Sequence, residues 1–389
     1  MSHPFTNGSV WRSLKLWVLA WMLAALGALS GVAHADHPAL NGAASKGLHE
    51  MVLTSQQGRI SLSGNAEYLV QDDLSASAAQ IDAQAASYGP SALVFRSYNA
   101  QHAHVTDGRV LWIRFQAINK TPDTRWLLRV GLPTVEEVSL AWRDSQGRWT
   151  EQRAGDHWAV RDWPVKTHTP VFLLNSNVHE PVTYYLRVVH QRVPFAAPLH
   201  VVTASRLLAE QQREHFLLGA YFGLALLMVV LGVVNAVQQS DKTFALYALY
   251  MAALVLMHAV STGLGAFFVW PQATDWTGVA ESVTLSLTLV AGLWLIRAAF
   301  TPQRMWPLLN AAVLGVMAVQ VVATLFDVAW PTMHSFLLAN SAALVALVAT
   351  MTLLWMAVQR HKADTRWMAL GFLPLMLAST LPVMRNLGV

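Results

Sequence analysis

Cysteine is absent from all 389 residues. That excludes a disulfide framework, a cysteine nucleophile and any thiolate metal centre, and leaves the compartment to be read from other features. Charge is scarce as well: 12 % of residues are Asp, Glu, Lys or Arg, against about 25 % in a soluble domain. The net charge of +4 is small for this length, and no basic stretch interleaves with aromatic residues, so nucleic acid is not expected as a partner. Also missing are a His pair flanking a Glu, a nucleophile elbow, a P-loop and a dinucleotide fingerprint. An enzyme is therefore not expected, and no cofactor is called for.

What the chain has instead is apolar length. Hydrophobic residues make up 54 % of it, and six segments stand out: Phe216–Val237, Phe244–Val269, Gly278–Phe300, Pro307–Phe326, Ser335–Val358 and Trp367–Met384. Each runs for about 18 to 26 residues, enough to cross a hydrocarbon core of roughly 30 Å at about 1.5 Å per helical residue. They are apolar on most faces, where a core helix of a soluble protein would keep a polar stripe. The lipid bilayer is the first partner implied.

Charges and prolines concentrate between about residues 50 and 215, which marks a separate domain ahead of the spans. Arg12 and Lys15 precede the apolar run Leu16–Leu29 and the small-residue site Val32-Ala33-His34-Ala35. This pattern predicts a signal peptide over 1–35, with an uncleaved anchor as the alternative, and either one exports the domain behind it. With that domain outside, the inner loops carry Lys242, Arg297, Arg304, Arg360, Lys362 and Arg366, whereas the outer loops carry Asp275 and Asp327 and no Lys or Arg. The positive-inside rule is satisfied throughout, and Trp270, Trp276, Trp330, Trp306 and Trp367 fit interfacial belts. Six spans return the C-terminus to the outside, so a seventh span and a cytoplasmic module are expected in a longer architecture.

Residues 36–58 are small and polar and read as a flexible lead-in to an exported domain over 59–206, with 207–389 forming the membrane domain. Within the exported domain, strands are predicted at Ala92–Arg96, Arg109–Asn119, Trp126–Gly131, Val135–Arg143, Trp158–Trp163, Pro170–Leu174, Tyr184–His190 and Leu199–Thr203, with a short helix within Asp73–Ala86. Leu111, Ile113, Phe115 and Ala117 alternate with Trp112, Arg114 and Gln116, placing the two sets on opposite faces of one strand. Thr121-Pro122-Asp123, Ser145-Gln146-Gly147 and Asn175-Ser176-Asn177 supply turns. The fold class predicted is a jelly-roll-like β-sandwich followed by an all-α polytopic membrane domain.

Leu111-Trp112-Ile113-Arg114, Trp126-Leu127-Leu128, Gly155-Asp156 followed by Arg161, and Tyr184-Tyr185-Leu186-Arg187-Val188 occur in this order. Gly219-Ala220-Tyr221-Phe222-Gly223 then opens the first span, and Phe244-Ala245-Leu246-Tyr247-Ala248-Leu249-Tyr250 lies in the second. The series resembles the seven-transmembrane receptors with diverse intracellular signalling modules over roughly residues 60–389. The resemblance implies a bacterial inner-membrane sensor with a periplasmic jelly-roll domain of carbohydrate-binding type. Its output, often a diguanylate cyclase or a histidine kinase, is not contained in these residues.

For ligand contacts, Trp112 and Arg114 lead because they lie opposite the apolar face, followed by Asp156, His157, Trp158 and Arg161. Indole faces stack on sugar C–H groups while Arg, Asp and Asn hold hydroxyls, so a small periplasmic ligand such as a carbohydrate is the class expected. For any single tryptophan, packing is the commoner explanation, and Gly155-Asp156 reads equally well as a structural turn. His102 and His104, with Asp107 nearby, come nearest to a metal site, but solvated histidines are the commoner reading and no metal is expected. In the spans His258, Glu281 and Asn340 need a bundle interior or cavity, and the small residues Gly219, Ala220 and Gly223 are spaced for helix packing. A homodimer stays open as a further partner. The rival reading is a transporter or transport-accessory subunit with a capture domain, set back by the lack of an internal repeat and of a charge near a span centre.

Overall fold

The computed structural model describes residues 48–360, apart from 55–56, 88–92, 101, 103, 105, 107, 122–124, 176–179 and 301–306. The leader over 1–35 and the segment Trp367–Met384 lie outside the described residues. The chain divides into two compact units, one formed by His37–Leu224 with Leu256–Glu281, the other by Met1–Asp36, Ala225–Val255 and Ser282–Val389.

The first unit carries the sandwich. Its strands are β1 (Glu50–Leu53), β2 (Arg59–Ser61), β3 (Glu67–Gln71), β4 (Arg96–Ser97), β5 (Val110–Asn119) and β6 (Trp126–Val130), then β7 (Glu137–Arg143), β8 (Trp149–Ala154), β9 (Val171–Leu173), β10 (Pro181–Val189) and β11 (Leu199–Thr203). The larger sheet runs β4-β3-β5-β10-β7-β8, and the smaller runs β2-β11-β6-β9. Pairing is antiparallel except for β1, which lies parallel to β5 with Glu50 opposite Gln116. Part of the stretch expected to be a flexible lead-in is thus a strand of the large sheet.

Alternation along β5 builds two layers from one strand. Leu111, Ile113 and Phe115 point between the sheets and pack with Leu128, Val130, Leu140, Phe172, Leu186 and Val201. Trp112 points the other way, yet it is 1 % exposed. The outer face is covered by α1 (Ala78–Ala85), whose buried Ile81 meets Phe95, Trp112 and Tyr185. Ser77 starts this helix with a capping box: the Ser77 N–H donates to Gln80 Oε1 at 2.8 Å and the Gln80 N–H to Ser77 Oγ at 3.4 Å. Asp82 then pins it to the sheet, accepting from Tyr185 Oη at 2.8 Å and from Arg143 at 2.9 Å.

The expected strand over Trp158–Trp163 is not one. The chain leaves β8 through Gly155 at φ +114°, the Asp156 N–H donates to the Val135 carbonyl at 2.9 Å, and Val160–Asp162 closes as a short 3-10 turn. A Cβ at Gly155 would lie 2.7 Å from the Glu136 carbonyl oxygen, so this corner needs glycine.

Five helices among the described residues are long and apolar enough to cross a membrane: α2 (Ala204–Gln239), α3 (Lys242–Ser261), α4 (Thr274–Phe300), α5 (Pro307–Ala329) and α6 (Met333–Arg360). The apolar run Phe244–Val269 is not one helix. It ends as α-helix at Ser261, turns at Gly263 with φ +76°, and continues as a π-helical turn over Gly265–Val269. Ala266 and Phe267 of that turn pack against the sandwich core.

In the second unit, Asp327 corrects its assignment to an outer loop. It lies within α5, is fully buried, and accepts hydrogen bonds from Ser282 Oγ of α4 at 2.7 Å and Ser335 Oγ of α6 at 3.0 Å. Asn340 donates to the Phe336 carbonyl one turn earlier at 2.9 Å. Gly232 faces Ala248 and Tyr247 so closely that a Cβ would stand 3.0 and 3.1 Å from them. The Cβ positions of Gly219 and Gly223 meet nothing within 4 Å among the described residues.

Candidate ligand-binding groove

Side chains that alternate outward from β10, β7 and β8 leave the large sheet with a polar stripe beside α1. Leu74, Ser75, Ala76, Ser77, Ala78 and Ala79 wall this stripe on one side, producing a groove of about 370 Å³. That falls within the roughly 300–1,000 Å³ typical of small-molecule sites. Its floor holds two ion pairs, Arg187 with Glu137 and Arg153 with Glu151, the latter at 2.8 Å. Arg187 also donates to the Leu74 carbonyl at 2.7 Å, tying floor to wall.

Trp149 stands at one end, edge-on to Tyr185 with 5.9 Å between ring centroids, and the Arg143 guanidinium lies 5.1 Å from its ring centre. Burial opposes the ionisation of Glu151, but hydrogen bonds from Arg153 and Ser139 and the Arg153 charge outweigh it and hold the carboxyl below its ordinary pKa. The floor therefore presents charged groups of both signs, matched in number, next to an indole. Trp112 also lines the groove, and its buried indole N–H has no acceptor among the described residues. Buried donors of this kind are normally paired, which marks this edge of the groove as polar and unsatisfied.

The remaining residues expected at a site lie elsewhere. Arg114 is held between the Glu67 carboxylate at 2.7 Å and the Phe95 ring at 3.8 Å, and is not part of the groove lining. Asp156 and Trp158 line a separate cavity of about 10 Å³ with Trp163 and Trp270. His157 is exposed, and Arg161 is exposed beside Asp162 at 3.7 Å. Glu137, Arg187, Glu151 and Arg153 were not foreseen. Their one signal was outward alternation on three strands, which becomes a site only once those strands are known to be neighbours.

The smaller sheet grips the start of α2. Arg129 of β6 binds Glu214 at 2.8 Å and Glu210 at 3.4 Å. His168, 6 % exposed, approaches Glu214 at 3.5 Å. Deeper in the sandwich, His104 packs against Tyr68 and Tyr98 with centroid separations of 4.4 and 5.3 Å. Burial lowers the pKa of both histidines to about 4. The folded unit thus holds them neutral, whereas the unfolded chain takes up protons near the ordinary value of 6.5. Their contribution to stability is full above that value and is lost as pH falls toward 4. Each shift corresponds to roughly 3 kcal/mol at its limit, so thermal unfolding of the full chain between pH 7.5 and 4.5 is expected to show a marked fall in melting temperature. His104→Gln should flatten that slope. Among the described residues no group of three or more His, Asp or Glu is arranged to hold a metal ion; Asp107 lies outside them.

His258 shares a hydrogen bond of 3.2 Å with Tyr221 Oη. This gives a packing reason for one of the polar groups found in the apolar segments.

Residues 63–203 match the family model described as 7TMR-DISM extracellular 2, and residues 214–389 match the one described as 7TM diverse intracellular signalling. No curated protein matches the chain. The first match spans the sandwich with its groove, and the second takes in the apolar helices beyond it. The chain belongs to the seven-transmembrane receptors with diverse intracellular signalling, as a multi-pass membrane protein with an N-terminal extracellular sensor domain.

Proposed function

We propose that this receptor sits in a bacterial inner membrane and binds a small, neutral, polyhydroxylated ligand, a free saccharide or a cell-envelope fragment, in the groove on its periplasmic sandwich. The observation that carries this reading is the groove floor, where two Arg–Glu pairs lie beside the Trp149 indole and the Trp112 N–H lacks an acceptor among the described residues. Paired charges offer donors and acceptors side by side, as vicinal hydroxyls require. They leave no net charge to attract an ionic ligand.

Binding is passed on through α2, α3 and α4, each of which has residues in both compact units. A ligand with different affinity for two arrangements of these helices shifts their populations. The output is a cytoplasmic signalling module, in the same polypeptide or in a partner.

Titration of the full chain in lipid nanodiscs with neutral and uronic-acid saccharides tests the proposal. A neutral saccharide is expected to bind, and Trp149→Ala to weaken it about tenfold through loss of the stacking face. Affinity unchanged in Trp149→Ala would remove the groove from the reading, and solute uptake by proteoliposomes containing this chain alone would favour a transporter.

A further inference from the structure

A second polar cluster in the sandwich-bearing unit belongs neither to the groove nor to the grip on α2. Asp156 is 8 % exposed, yet no hydrogen-bond donor or guanidinium engages its carboxyl among the described residues. It lines the cavity of about 10 Å³ together with Trp270, Thr274 and Thr277, and the Trp270 indole N–H is buried without an acceptor among the described residues. A space of this size holds about one water molecule. The charges that act on Asp156 are both negative: Glu281 on α4, and Glu136 in the connection before β7.

The other charged or titratable groups around it are turned to different tasks. Glu136 accepts the backbone N–H groups of Gln191 and Arg192 at 3.1 and 3.2 Å, and His190 stands 3.8 Å from it. Arg192 donates to the Gly278 carbonyl at 2.6 Å. Arg153 lies over Trp158 at 5.4 Å, Arg161 is beside Asp162, and His157 is exposed.

We infer that Asp156 is a proton-responsive latch, whose uncharged carboxyl seats the sandwich on the segment 263–281 and whose ionisation between Glu136 and Glu281 releases that seat. Burial first, then the two neighbouring carboxylates, raise its pKa well above the ordinary 3.8. In the released arrangement water surrounds the group and the ordinary value returns, so the released form gives up its proton first. The seated form is therefore favoured at low pH. It becomes less favoured as pH rises from about 4 through the seated value, and changes no further beyond it. The receptor would then read proton activity at this junction independently of any ligand in the groove.

Hydrogen exchange of the full chain in nanodiscs, from about pH 5 to about pH 9 and corrected for intrinsic rates, tests this. Exchange within 155–163 and 263–278 is expected to accelerate roughly tenfold or more over that range. Asp156→Asn, neutral throughout, should stay protected and lose the pH dependence. Glu281→Gln, with one repelling charge fewer, should show a smaller rise. Protection that does not vary with pH in the native chain, or an unaltered pH dependence in Asp156→Asn, would overturn the latch. Should Asp156→Asn fail to fold, Glu281→Gln decides: a reduced rise supports the latch and an unchanged one overturns it.

Discussion

Replacing Gly263 with alanine is expected to remove about 3 kcal/mol or more from the sandwich-bearing unit. Its φ of +76° is one that a side chain strains to adopt. A Cβ there would also stand 2.2 Å from the His168 carbonyl oxygen and 2.9 Å from Pro133 Cβ. Neither neighbour yields easily, because one is backbone and the other a rigid ring. Relief would have to come from movement of the π-helical turn, taking Ala266 and Phe267 away from the sandwich core. Thermal unfolding together with hydrogen exchange at 263–270 measures the effect. Gly219→Ala is the control. A Cβ there meets nothing within 4 Å among the described residues, and helical alanine is favoured over glycine by roughly 1 kcal/mol. Equal effects at the two positions would contradict the close seat at Gly263.

Asp327→Ala is expected to cost the helix bundle about 2–4 kcal/mol, since a fully buried acceptor that Ser282 and Ser335 both approach disappears. The Ser335 hydroxyl has the carbonyls of Trp330 and Thr332 at 2.7 and 2.9 Å to turn to. Ser282 and Ser335 come from α4 and α6, so the loss acts on three helices at once. Asp327→Asn retains one side-chain acceptor and should fall between the native chain and alanine. Unfolding of the full chain by denaturing detergent, compared with alanine at the exposed Asp275, reads the difference. Similar behaviour of Asp327→Ala and Asp275→Ala would show that the buried carboxylate ties nothing together.

Asp327 also illustrates where sequence reasoning stops. Beside Trp330 and Pro331 an acidic residue looks like loop, and only the positions of Ser282 and Ser335, 45 and 8 residues away, give it a reason to be inside. The alternation of β5 was legible because a period of two is local. That its Trp112 face would be covered was not, because α1 reaches it from more than 25 residues earlier, through a capping box at Ser77. The aromatic run Trp158–Trp163 resembled a strand by composition, but Gly155 turns the chain before it begins. The apolar run Phe244–Val269 was long enough for a span. Its glycines break the helix so that the last residues serve the sandwich core instead.

The groove was the least legible feature. Trp112 was foreseen, but Glu137 and Arg187 lie 50 residues apart and become partners only through the β7–β10 register, which sets Arg187 opposite Ser139 and Val189 opposite Glu137. Apolar periodicity reports burial, whereas a polar site on the far face of a sheet depends on strand order, which carries no local signature.

Sensing at the groove is tested most directly by hydrogen exchange of the full chain with and without a saturating saccharide. Groove binding requires added protection at 74–79 and 149–153, the wall and the outer strand of the site. Protection confined to 155–163, or none in the sandwich despite measurable binding, would contradict it.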